Sequence, residues 1–154
     1  MIRKLILLGA LFVLLVSVCV SQTDSTNRRY INLPRPVPNL PFSDGVLAGN
    51  TFYLSGSIGL DPTTGKVPGE IGDELHILLD GVKNVLGRVG MTMDDLVYVQ
   101  VFCPDLSLYA KFNEAYRSYF TKDFPARAFI GSGQLLFGGH FEFQGIAIAG
   151  QPLR

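Results

Sequence analysis

The sequence predicts an α+β domain in which two helices cover one face of a mixed β-sheet. Three observations carry this. Short apolar runs bounded by Gly, Asn, Asp and Pro flank two segments whose apolar residues recur at three- and four-residue spacing. The runs fall in the order strand, strand, helix, strand, helix, strand, strand, an order suited to helices gathered on one face of a sheet. The chain's 154 residues, 47% hydrophobic, suffice for one core but hardly for two.

Arg3-Lys4 followed by an apolar run from Leu5 to Val20 reads as a signal peptide over residues 1–21, with Ser21 before the cleavage point. The protein is then exported, to a periplasm or as a secreted chain. The alternative is an uncleaved anchor, although the run is slightly short for a span of ~20 residues. Without such an anchor no stable membrane contact is expected. Lipid attachment at Cys19 is disfavoured by the bulk of Val18. Cleavage would remove Arg3 and Lys4 from 13 basic residues and none of the 13 acidic ones. The balance stays near neutral without a Lys/Arg run, so no nucleic-acid partner is expected.

Residues 22–39 turn from polar to proline-rich, with Pro34, Pro36 and Pro38 alternating. They read as a linker ahead of a domain over 40–154, or as a strap across its surface. Val46-Leu47-Ala48, a Gly49-Asn50 turn and Thr51 to Ser55 form a hairpin signal. Ser55-Gly56-Ser57 interrupts it with small residues that admit a close approach. Asp61-Pro62-Thr63-Thr64-Gly65 is a turn.

Ile71, Leu75, Leu78, Leu79, Val82, Val85, Leu86 and Val89 mark an amphipathic helix ending at Gly90, with Asp73, Glu74, Asp80, Lys83, Asn84 and Arg88 read as its solvated face. A strand follows at Leu96 to Phe102. Asp105 or Ser107 caps a second helix, whose Tyr109, Phe112, Tyr116, Tyr119 and Phe120 form an aromatic core seam. Asp123-Phe124-Pro125 ends it.

The stretch from Pro125 to Ala149 reads as a hairpin: a strand carrying Arg127, a Gly138-Gly139 turn, and a return strand with His140, Glu142 and Gln144 on its inward face. Helices on one face leave the other sheet face apolar and uncovered, which predicts burial in a closed homo-oligomer. If cleavage removes Cys19, Cys103 is the one cysteine left, and it reads as a small buried hydrophobe. His76 and His140 lack metal-ligand spacing, and neither a metal nor a cofactor is expected.

From about Leu40 to Ile148 the chain resembles the RidA family, also called the YjgF or L-PSP family. The resemblance lies in Gly49-Asn50 leading to Leu54-Ser55-Gly56, in Asp61-Pro62-Thr63-Thr64-Gly65, and in the helix ending at Gly90. Phe112-Asn113-Glu114-Ala115-Tyr116, Pro125-Ala126-Arg127 and Gly145-Ile146-Ala147-Ile148 complete it. It implies a chorismate-mutase-like fold, a homotrimer with sites in the clefts between subunits, and hydrolysis of reactive 2-imino acids or their enamines to 2-keto acids and ammonia. The family's arginine falls on Arg127, its serine on Ser55, and its backbone contacts on Gly56 and Phe129. Phe42 stands where the family has tyrosine, and Gln144 is read at the position of its glutamate.

Arginine can grip a carboxylate through two parallel hydrogen bonds. Imine hydrolysis also needs water at the C=N carbon and a group that moves protons, which an amide cannot do. With Gln144 in that place the expectation is attenuated deamination, Gln144 merely positioning water. Glu142 shares its face but sits ~6 to 7 Å along the strand. His140 reads as a solvated or capping residue. Two other readings stand beside the enzyme: a non-catalytic module binding small carboxylates in the same cleft, and a purely structural trimer. Endoribonuclease activity has no support, since no basic groove and no His pair is present.

Overall fold

The computed structural model describes residues 28–34 and 40–150. The signal peptide or anchor expected over residues 1–21 lies outside the described residues. Six strands form one sheet in the order β1-β2-β3-β6-β4-β5. They are β1 (Arg28–Ile31), β2 (Gly45–Ala48), β3 (Thr51–Ile58), β4 (Leu96–Cys103), β5 (Ala126–Gly131) and β6 (Glu142–Ile148), with helices α1 (Ile71–Gly87) and α2 (Tyr109–Arg117). The α+β class with two helices on a mixed sheet is therefore as the sequence predicts.

The local signals translate directly. Gly49 takes φ 62 in the β2–β3 turn, a conformation that costs glycine nothing. Gly90, at φ 75, closes the end of α1, where the Met91 N–H reaches the Leu86 carbonyl at 3.1 Å. Asp105 accepts from the Ser107 N–H at 2.9 Å and starts the turn leading into α2. The apolar stripe of α1 (Leu75, Leu78, Leu79, Val82, Val85, Leu86) is buried against Phe52, Leu54, Val99, Val101, Phe143 and Ala147 of the sheet. Cys103 is fully buried in the same core, and burial pushes its thiol pKa up.

Three expectations are corrected. Within the stretch read as linker, residues 28–31 form the edge strand β1, paired antiparallel with β2. The final hairpin does not exist: β5 pairs parallel with β4, while β6 lies antiparallel between β3 and β4. The α2 connection returns the chain in the direction of β4, and residues 132–141 then carry it back into the centre of the sheet, where Gly145 and Ala147 let both neighbours close in. A side chain at Gly145 would meet the Tyr98 carbonyl and Leu96.

Third, Glu74 is no part of a solvated face. It is completely buried, and its carboxylate accepts from the backbone N–H groups of His140 and Phe141 and pairs with His140 Nδ1 at 2.6 Å. His140 is accordingly tied to α1 rather than capping a turn in solvent. Helical periodicity could not show this, because Glu74 is covered by a segment sixty-six residues away.

Candidate functional site

Arg127 stands on the edge strand β5, in register with Val99 of β4 and, through it, with Gly145 of β6. Its side chain therefore projects toward the helices. There Nη2 donates to Asn113 Oδ1 at 2.6 Å, and the guanidinium lies 4.7 Å from the Tyr116 ring centre, 5.5 Å from Phe112, and 5.8 Å from both Tyr109 and Phe129. A guanidinium is weakly hydrated and stacks well on aromatic faces, so this cage holds it without neutralising it. Among the described residues no carboxylate pairs with Arg127. A half-buried cation in that state is suited to receive a small anion.

The cage tunes its phenols in opposite directions. Asn113, and then Arg127, hold the exposed Tyr109 hydroxyl below its ordinary pKa. Burial pushes Tyr116 up to about 12, and its hydroxyl is a buried group without a hydrogen-bond partner. Phe129 contributes its ring to the cage, edge-on to Tyr109 with centroids 5.0 Å apart.

The second cluster centres on a bulge in β3. Leu54 pairs with Gly145 and Ser57 with Phe143, so Ser55 and Gly56 together oppose the single residue Gln144. Ser55 Oγ donates to the Ser43 carbonyl at 2.6 Å and its N–H to the Asp44 carbonyl at 3.0 Å, so its hydroxyl braces the segment before β2. Phe42, half-exposed, lies in that segment. Gln144 donates its amide across β4 to Gln100 Oε1. Glu142 comes to Gly56 instead: a methyl group on residue 56 would collide with Glu142 Oε1. Only the missing side chain makes room for the carboxylate.

Glu142 and Gln144 share a face, as their spacing requires, but it is the helix-free face, since Phe143, Gly145 and Ala147 alternate with them into the core. One chain thus places Arg127, Asn113 and Phe129 on one side of the sheet and Gly56, Glu142 and Gln144 on the other. The expected convergence of Arg127 with the inward face of β6 does not occur within a chain. Asn113 and Tyr109 were missed as site residues, although Tyr109, Phe112, Asn113 and Tyr116 fall at helical spacing. An amide set in an otherwise aromatic stripe was the available signal.

The helix-free face carries a row formed by Tyr53, Ile146 and Tyr98, cross-strand partners on β3, β6 and β4. Tyr53 and Tyr98 are exposed, as is Ile148 beside them. This row leaves apolar side chains in contact with solvent in the single chain.

The profile of the family described as Endoribonuclease L-PSP matches residues 33–149. The 2-iminobutanoate/2-iminopropanoate deaminase of Bos taurus is 34% identical over 111 residues, 71% of this chain and 81% of that protein. Among solved structures, the YjgF gene product of E. coli superposes with a TM-score of 0.72 at 31% identity, covering 78% of this chain and 98% of the other. RidA from the Antarctic bacterium Psychrobacter gives 0.73 at 28% identity, covering 79% and 99%.

Proposed function

The chain belongs to the RidA family, the group described as endoribonuclease L-PSP, and from that premise we propose that it is a hydrolytic deaminase of small 2-imino acids or their enamine tautomers. The observation that carries this is that one chain presents both an unneutralised, caged Arg127 and, on the opposite sheet face, an acid, Glu142, seated over the Gly56 bulge. Arg127 and Asn113 take the substrate carboxylate, and the rings of Tyr109 and Phe129 wall the small side chain. At the second cluster, Glu142 orients the attacking water, accepts its proton as the C=N carbon is attacked, and returns it to the departing ammonia. Ser55 keeps the bulge in shape through Ser43.

This assigns to Glu142 the role for which Gln144 lacks the chemistry. Gln144, bonded to Gln100, braces β6 against β4. Because the two clusters occupy opposite faces of one sheet, a small ligand touches both only across a subunit boundary. The apolar row Tyr53–Ile146–Tyr98 favours a closed assembly, which we propose is a homotrimer. The charged start and apolar run of residues 3–20 support export, which the mass of the mature N-terminus tests.

The competing reading, a module that binds small 2-keto carboxylates without turnover, draws on Phe42, which offers no hydroxyl to a ligand. Freshly generated 2-iminobutanoate decides between them. Hydrolysis above the free-solution rate, lost in Glu142→Gln, supports the enzyme. Binding of 2-ketobutyrate without any turnover supports the module.

A further inference from the structure

A fully buried carboxylate is expensive unless its oxygens are satisfied, and Glu74 is satisfied by one short segment of chain. Oε1 accepts from the His140 N–H at 2.8 Å and from the Phe141 N–H at 3.2 Å, while Oε2 meets His140 Nδ1 at 2.6 Å. The two backbone donors immediately precede Glu142, the residue at which pairing of β6 with both β3 and β4 begins. The turn of α1 bearing Glu74 also presses on the end of β3. A side chain at Gly59 would meet the Glu74 carbonyl and Cγ.

Glu74 therefore touches the residue that follows β3 and the two that precede β6, the strands that define the space between Gly56 and Glu142. Regular pairing does not fix that space, because the β3 bulge interrupts the ladder between Leu54 and Ser57. We infer that Glu74, with His140, is a positioning residue for the reaction: its clamp on the residues preceding β6 sets where the Glu142 carboxylate stands over Gly56. The inference rests on the deaminase reading of that site. Arg127 lies on β5, two strands from β6 in the sheet order, so the grip on the substrate carboxylate is independent of the clamp.

Glu74→Gln tests this in the full chain, because the amide oxygen still accepts from the two N–H groups while the charged partner of His140 is gone. With 2-iminobutanoate, kcat should fall ~10- to 100-fold, the size of effect that follows from a misplaced reacting group. KM and the affinity for 2-ketobutyrate should stay within about twofold, and His140→Ala should show the same split. The carboxylate carbon resonance of Glu142 should shift in both variants.

A folded Glu74→Gln with unchanged kcat and an unmoved Glu142 resonance overturns the inference. So does a parallel loss of turnover and 2-ketobutyrate binding, which marks a general structural role. If the wild-type protein shows no turnover, the deaminase reading falls, and the Glu142 resonance alone decides whether Glu74 positions that carboxylate.

Discussion

Glu142 Oε1 occupies the place where a side chain on residue 56 would begin. The relationship joins a glycine in a β-bulge to an acid two residues from Gln144, the amide that the family resemblance singled out. It makes Gly56 a requirement of the acid's position rather than a flexible turn residue.

Glu142→Gln is therefore expected to lower kcat for imine hydrolysis by ~10²- to 10⁴-fold, the usual contribution of a general base. Gly56→Ala should also lower kcat, because its methyl group displaces the carboxylate. Gln144→Glu is the decisive companion. It should disturb the pair with Gln100 rather than raise turnover, and a large gain would return the missing-base role to residue 144.

Arg127→Ala should abolish measurable 2-ketobutyrate binding by calorimetry. Arg127→Lys keeps the charge without the planar fork, and its affinity should fall by roughly 1.5–3 kcal/mol, the worth of a hydrogen bond to a charged group. Unchanged affinity in either variant would make Arg127 a structural residue of the aromatic cage.

Tyr116 carries a hydroxyl that is buried and unpartnered. Tyr116→Phe should stabilise the fold by ~1 kcal/mol in denaturant titration, since an unsatisfied buried group is removed. The same residue predicts an alkaline weakness. Burial raises its pKa from 10.0 to about 12, so the folded state keeps a proton that the unfolded chain releases. Its contribution is complete below pH 10 and is lost as pH rises toward 12. Burial and Asp80 raise Tyr119 in the same direction. Melting temperature should drop across that window in the wild type and less in Tyr116→Phe.

Ile146 sits between Tyr53 and Tyr98 on the helix-free face. Ile146→Lys places a charge in the middle of the proposed subunit contact. Sedimentation should show a trimer for the wild type and smaller species for the variant, with turnover lost alongside. A fully active wild-type monomer would refute a site shared between subunits.

Much of the fold was legible from residues taken one segment at a time. The Gly49-Asn50 turn, the apolar stripe of α1, the Asp105 cap and the burial of Cys103 depend on the period of a segment and on its terminal residues. Arg127 drew notice through the family resemblance, in which it follows Pro125-Ala126 in a short motif. Glu74 was not legible, because in its own helix it has the spacing of a solvated residue; only His140 and Phe141 crossing above it make that position interior. Asn113 was hidden by the aromatic residues around it until Arg127 was seen to face it.

The sequence by itself determined the fold class, the core face of each helix and the alternation that keeps Glu142 and Gln144 together. Tertiary structure alone decided that β6 lies between β3 and β4, that Arg127 faces the helices while Glu142 faces away, and that the acid rather than the amide meets Gly56. Alternation is local, set by a two-residue repeat in one strand's own backbone. Strand partners, bulges and crossovers depend on contacts between distant segments, and one extra residue in β3 was enough to choose which side chain of β6 finds room at the bulge.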